Sequence, residues 1–308
     1  MIQEITPFLS KDIRGSWAFY IKKGEDGFNT GTIYDTSLSY KRLHRYFPSP
    51  ASRLIEKPFP ALVVQGVTGE SISTLLKREP VTGIAVLQRY ARDLEKSWNE
   101  SVEPMNEDIV ARDMRKESLA TLSRIESDPN LDSMKQLPLF VNGVEYPPIE
   151  ETINSCKQSL VNISEPVMVF SHGDEHFENI ISDGDDYCLI DPRKSGMISP
   201  SQIINSIAGM HYLVLTSYES TSSVGNKLDI RSKETHPATQ EIANWLGGLI
   251  DYLPRLHPGK FLVREYLFTN LLRGFTSKVK ESNISRLHPD RNIYIALANQ
   301  IYYGDLIK

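Results

Sequence analysis

The stretch Val167-Met168-Val169-Phe170-Ser171-His172-Gly173-Asp174-Glu175-His176-Phe177-Glu178-Asn179-Ile180-Ile181, followed after a polar turn by Cys188-Leu189-Ile190-Asp191-Pro192-Arg193, decides the fold. An apolar run of strand character enters a loop that carries Asp174 and Asn179. A second apolar run then presents Asp191 at its end. Two strands and their connecting loop therefore bring three oxygen-bearing side chains toward one place. Such a set has the parts that magnesium-dependent phosphoryl transfer requires: a carboxylate to orient a hydroxyl nucleophile, and an amide with a second carboxylate to hold the ion.

Around this stretch the chain has two different characters. Residues 1 to about 66 read as short strands with one helix. Ser16-Trp17-Ala18-Phe19-Tyr20-Ile21 is aromatic and β-prone, Lys23 to Gly27 is a turn cluster, and Gly31-Thr32-Ile33-Tyr34 reads as the returning strand of a hairpin. Ser37 to Phe47 reads as a short helix stopped by Pro48 and Pro50, followed by strands at Ser52–Ile55 and Ala61–Val64. Gln65 to Ser71 reads as a linker. Beyond it, helical spacing dominates: Ser73–Lys77, Thr82–Asn99 with Val86, Leu87, Tyr90, Leu94 and Trp98 on one face, Glu107–Ile125, and Ile149–Leu160. Apolar runs at Ile203–Leu215, Ile242–Leu253 and Phe261–Leu272 predict further helices. Residues 127–148 and 217–237 are expected to be loops.

The pattern His-Gly-Asp-x-His-x-x-Asn with a following strand that ends Ile-Asp resembles the aminoglycoside phosphotransferase and choline kinase group of small-molecule kinases. Ala61-Leu62-Val63-Val64-Gln65-Gly66-Val67-Thr68-Gly69-Glu70-Ser71-Ile72 is similar to the hinge strand of that group, with its Gly-Glu-small turn and short helix. The resemblance implies an α+β, two-lobed protein-kinase-like fold. Residues 1–66 would form a small β-rich nucleotide-binding lobe, and residues 67–308 a larger, mainly helical lobe with the catalytic loop and substrate site. It further implies Asp174 as catalytic base, Asn179 and Asp191 as magnesium ligands, His172 as a buried residue that shapes the loop, and backbone groups near Gln65 and Val67 as the holders of an adenine or guanine edge. Magnesium and ATP or GTP are the implied cofactors, and a small molecule with a hydroxyl group (a sugar, an aminoglycoside, choline or a polysaccharide precursor) is the implied acceptor.

The first lobe departs from the pattern. Kinases place a lysine on the third strand and a helix glutamate to hold it. If Gly31–Tyr34 is that strand, it carries no lysine. If Phe19-Tyr20-Ile21 is, Lys22 or Lys23 can serve, and little chain remains for the first two strands. The following helix offers Lys41, Arg42 and Arg45 but no glutamate, and Arg14-Gly15-Ser16 is the candidate phosphate loop. Ser201 to Asn205 lacks the aspartate that the group often carries at a helix start. Arg193 and Lys194 follow the metal carboxylate closely, where phosphate, an anionic substrate or surface carboxylates are alternative partners. Tyr212, Tyr218, Trp245 and Tyr252 fit core positions better than a substrate box. These departures keep a second reading open, a catalytically inactive kinase-like binding or regulatory module.

His172-Gly173-Asp174-Glu175-His176 also matches H-x-x-E-H, a zinc pattern that needs both histidines on one helix face. Here the match directly follows a strand and contains Gly173, so a loop is expected. Composition narrows the classes further. The 308 residues are 40% hydrophobic and 24% charged, with a formal net charge of −5. No global basic field draws nucleic acid or an anionic membrane. No apolar run reaches the roughly 18 residues of a membrane helix. Met1-Ile2-Gln3-Glu4-Ile5-Thr6 lacks the basic and apolar regions of a signal peptide. Cys156 and Cys188 are the only cysteines, and a reduced, cytoplasmic location is expected.

Overall fold

The computed structural model describes residues 2–6, 9–14, 17–23, 30–55, 61–105, 112–193, 195–209, 220–223, 225–232, 238–276 and 292–305. The chain is α+β and divides into two compact units. One comprises residues 1–101 with 169–197, the other 102–168 with 198–308. The first unit joins the segment 169–197 to the N-terminal strands.

The first unit contains an antiparallel sheet in the order β1-β2-β3-β5-β4, with β1 at Ile2–Thr6, β2 at Leu9–Arg14, β3 at Trp17–Lys23, β4 at Ser52–Ile55 and β5 at Ala61–Gln65. Two short strands therefore precede Trp17–Lys23, which is the third strand and carries Lys22. Gly31–Tyr34 is not the returning strand of a hairpin. It belongs to helix α1, Thr30–Leu43. The buried positions Ile33, Thr36, Ser37, Tyr40 and Leu43 recur with helical period, and that period outweighs the β-propensity of Thr-Ile-Tyr. Leu62 and Val64 alternate inward along β5 and pack with Ile33 and Tyr40 in one cluster.

Helix α2, Ile72–Arg78, starts where the Ser71 hydroxyl caps the Thr74 N–H at 3.3 Å. Helix α3, Pro80–Ser101, buries Val86, Leu87, Tyr90, Leu94 and Trp98, the stripe its spacing predicts. Strand β6, Glu70–Ser71, pairs with β11, Ile180–Ser182, which pairs in turn with β12, Tyr187–Leu189.

In the second unit, helix α4 covers Arg112–Glu126 and α6 covers Ile149–Asn162. Helix α7 is Pro200–Gly209, α8 is Ala238–Leu256, α9 is Val263–Thr276 and α10 is Asn292–Tyr302. Helix α9 packs against α4, α7 and α10. The two expected loops hold structure. Residues 127–148 contain α5, Pro129–Asp132, and a hairpin of β8, Leu139–Val141, with β9, Val144–Tyr146. Its turn is Asn142-Gly143, both at positive φ (51° and 83°), the conformation an Asn-Gly hairpin turn favours. Residues 217–237 contain β14, Ser220–Ser223, and β15, Leu228–Ser232, and β15 runs parallel to β8. A strand that finds its partner roughly ninety positions away gives no local pairing signal. Tyr212, Tyr218, Lys194, Gly15 and Ser16 lie outside the described residues. Trp245 is buried on α8.

Candidate active site

Strand β10, Val167–Ser171, is buried along its whole length, as its unbroken apolar run predicts. After it the chain makes a loop, not a helix, and then a single 3-10 turn at Phe177–Asn179. Gly173 sits at φ 90°, in the left-handed region that favours glycine.

The loop is organised around Glu175, which is 3% exposed. Its Oε1 accepts the backbone N–H of His172 at 2.6 Å, the N–H of Gly173 at 3.2 Å and the hydroxyl of Ser171. A carboxylate that satisfies two amides and a hydroxyl inside the protein fixes the local backbone. His172 is buried beside it, and its Nε2 donates to the Ile190 carbonyl at 2.9 Å. Burial holds this imidazole below its ordinary range, against the opposing pull of nearby Glu175.

Asn179 links the parts. Its Nδ2 donates to the Asp174 carbonyl at 2.9 Å, and its own carbonyl accepts the Ile190 N–H at 2.9 Å. The first bond occupies the amide nitrogen, so Oδ1 is the side-chain atom left for a ligand. The second continues the β11–β12 pairing and sets Asp191 one residue beyond Asn179's partner. Asp191 lies at φ 54°, a region aspartate tolerates better than most side chains and one that clusters at functional sites. Its backbone N–H donates to the Tyr40 hydroxyl at 3.0 Å. Helix α1 grips the next residues as well, through Ser39 Oγ to Ser195 N–H at 3.1 Å and Arg42 to Ser195 O at 3.0 Å.

Both oxygens of the Asp174 carboxylate face basic side chains. Oδ1 lies 3.4 Å from His176 Nε2 and Oδ2 lies 3.3 Å from Arg193 Nε. A hydrogen bond to Glu178 raises the His176 pKa above the ordinary imidazole value, and Asp174 adds to it. Asp174, Asn179 and Asp191 thus share one unit and one hydrogen-bonded frame. An amide oxygen and a carboxylate are the hard donors that magnesium takes with water and phosphate oxygens, so the donor set fits that ion.

The other expected site residues take separate positions. Lys22 is on β3, paired in register with Leu62 of β5. Gln65 ends β5, with its N–H given to the Ala51 carbonyl at 2.8 Å, and Val67 follows in the connecting segment. The H-x-x-E-H match is not a zinc site. His172 is spent on Ile190, Glu175 turns inward to amides, and among the described residues no group of three or more His, Cys, Asp or Glu is arranged to hold an ion.

Sequence reasoning missed Glu175, Tyr40 and Ser39 as the frame of the site. For Tyr40 the signal was its helical register with Ile33. For Glu175 it was an acidic residue at the mouth of a fully apolar strand.

No family model matches the chain, and no curated protein matches it. Solved structures do. A glucosamine kinase in complex with glucosamine, ADP and inorganic phosphate is 13% identical with a TM-score of 0.52, covering 97% of this chain and 74% of that one. A thermostable mutant of the aminoglycoside phosphotransferase APH(4)-Ia is 11% identical with a TM-score of 0.50, covering 99% and 94%. The choline kinase LicA of Streptococcus pneumoniae is 13% identical with a TM-score of 0.48, covering 99% and 93%. At such identities the likeness is one of fold, and the chain has the α+β, protein-kinase-like fold of the small-molecule kinases that its catalytic-loop motif resembles.

Proposed function

We propose that this protein is a small-molecule kinase, which transfers the terminal phosphate of ATP or GTP to a hydroxyl of a sugar, aminoglycoside or choline-like acceptor with magnesium as cofactor. The carrying observation is the Asp174–Asn179–Asp191 frame, in which Asn179 bonds the Asp174 carbonyl by its side chain and Ile190 by its backbone. A binding module has no physical need for a base and two hard-donor ligands held together in this way.

In this reading Asp174 orients the acceptor hydroxyl and takes its proton. Asn179 Oδ1 and the Asp191 carboxylate hold magnesium, which would supply charge neutralisation at the nucleotide phosphates. Lys22 pairs with the phosphates, and backbone groups at Gln65 and Val67 meet the base. Residues 1–66 act as the nucleotide lobe and residues 67–308 as the catalytic and acceptor lobe. The setting is cytoplasmic, without a nucleic-acid partner. No helix among the described residues is long and apolar enough to cross a membrane.

Nucleotide binding is the first test. Thermal unfolding is followed with ATP and GTP, each with and without magnesium, for the native chain and Asp191→Ala. A ligand at about a hundred times its Kd stabilises by roughly 2.7 kcal/mol, so a magnesium-dependent rise is expected in the native chain and not in the variant. Release of ADP or GDP over a panel of hydroxyl acceptors then follows, with Asp174→Ala folded and inactive.

One observation favours a second reading. Helix α1 carries no glutamate to hold Lys22, which suits a module that binds nucleotide without transfer. Nucleotide binding with no product from any acceptor would select it.

A further inference from the structure

Phosphoryl transfer needs positive charge at the equatorial oxygens of the transferring group. The described part of the site offers one cation in contact with the base. Arg193 Nε lies 3.3 Å from Asp174 Oδ2, with the arginine side chain 71% exposed and the aspartate 24%. Arg193 is separated from Asp191 by Pro192 alone, a buried residue whose ring fixes its backbone torsion. The guanidinium is therefore tethered to the carboxylate read as a metal ligand and touches the carboxylate read as the base. Arg193 thus stands beside the group that would orient the acceptor hydroxyl, two positions in sequence from a carboxylate that would hold magnesium.

An ion pair this exposed contributes little. A phosphate offers the same guanidinium a bidentate partner of higher charge. The exchange is therefore downhill once a nucleotide is present. It also uncovers Oδ2 on the base, the atom the guanidinium otherwise covers.

We propose that Arg193 binds the terminal phosphate of the nucleotide and leaves Asp174 to do so. The inference rests on the kinase reading above. In the step it serves, the bond from the terminal phosphorus to the bridging oxygen breaks and its electron pair leaves with the nucleoside diphosphate. The acceptor oxygen bonds to that phosphorus and its proton passes to Asp174. Arg193 stays on the phosphoryl oxygens throughout.

The test is the ratio of affinities for triphosphate and diphosphate. Binding of magnesium ATP and ADP, and of the guanine pair, is measured by calorimetry for the native chain, Arg193→Ala and Arg193→Lys. The native chain is expected to prefer the triphosphate by tenfold or more. Arg193→Ala should lose most of that preference with diphosphate affinity little changed, and Arg193→Lys should recover part of it. A residue that merely positioned Asp174 would leave the ratio untouched. An unchanged ratio in Arg193→Ala, or no native preference, overturns the proposal and spares the kinase reading. Failure of the native chain to bind either nucleotide overturns both.

Discussion

The imidazole of His172 donates from Nε2 to the carbonyl of Ile190 at 2.9 Å, which ties the start of the loop after β10 to the residue before Asp191. The histidine is 1% exposed, and burial depresses its pKa from 6.5. It is therefore neutral in the fold. His172→Ala removes the donor and leaves the part-buried Ile190 carbonyl without this partner, a loss of about 1–2 kcal/mol in urea unfolding. The pH dependence has a definite sign. With the folded value below the unfolded one, the unfolded chain binds the extra proton. The stability from the neutral ring is complete above about pH 6.5 and is lost as pH falls through the folded value. His172→Gln, which keeps a donor and does not titrate, should lose less stability than the native chain between pH 7.5 and pH 5.5.

Much of this site is legible in the sequence because it is local. The order of β10, loop, β11 and β12 lies in 25 consecutive residues, with Asp174 in the loop, Asn179 in the turn before β11 and Asp191 just after β12. The parts that are not legible arrive from far along the chain. Tyr40 and Ser39 reach Asp191 and Ser195 across more than 150 positions. The misassigned Gly31–Tyr34 shows the limit from the other side, since three β-prone residues after a glycine are too short a window to reveal the helical period that Ser37, Tyr40 and Leu43 continue. The hairpin at Asn142-Gly143 had a readable turn signal, obscured by the prolines around it.

Glu175 carries the loop's backbone. Its Oε1 serves two amides and a hydroxyl, and its Oε2 is buried with no hydrogen-bond partner among the described residues. Glu175→Ala leaves those donors unsatisfied and should cost on the order of 3 kcal/mol or more. Glu175→Gln keeps one acceptor oxygen but buries an amide NH2 where Oε2 lies, so a smaller loss of about 1–2 kcal/mol is expected. Chemical unfolding of the two variants ranks them. Equal stability of native chain and Glu175→Ala would remove the carboxylate from this role.

Gly69 sits at φ 114°, and a Cβ there would lie 2.2 Å from the Ser182 carbonyl oxygen and 2.9 Å from the Asp183 nitrogen. Both are backbone atoms of the segment that follows Asn179, paired with β6 through Ser182 and Glu70. Neither can yield like a flexible side chain. Gly143 offers a control, with φ 83° and nothing within 4 Å of an added Cβ. Gly143→Ala should cost only the left-handed backbone term of roughly 1–2 kcal/mol. Gly69→Ala should cost clearly more, on the order of 3 kcal/mol or above, with weakened nucleotide binding. Similar unfolding midpoints for the two variants would contradict the close approach at Gly69.

Glu165 provides the opposite pH dependence to His172 in the other unit. It is 2% exposed, and its Oε1 accepts the Leu262 N–H at 2.7 Å just ahead of α9. Burial raises its pKa, and the Leu262 hydrogen bond only partly offsets this. Since the folded value lies above the unfolded one of 4.5, the folded chain holds the proton more tightly. The contribution is full below about pH 4.5 and is lost as pH rises through the folded value. Glu165→Gln keeps a carbonyl oxygen for Leu262 and removes the buried charge. It should match or exceed the native chain at pH 8 and lose that advantage toward pH 5. Glu165→Ala abandons the Leu262 N–H and should be less stable at both values by about 1–3 kcal/mol. Thermal unfolding of the three chains at the two pH values separates the charge effect from the hydrogen bond. A Gln variant that is uniformly weaker would mean that Glu165 is ionised and held by its hydrogen bonds after all.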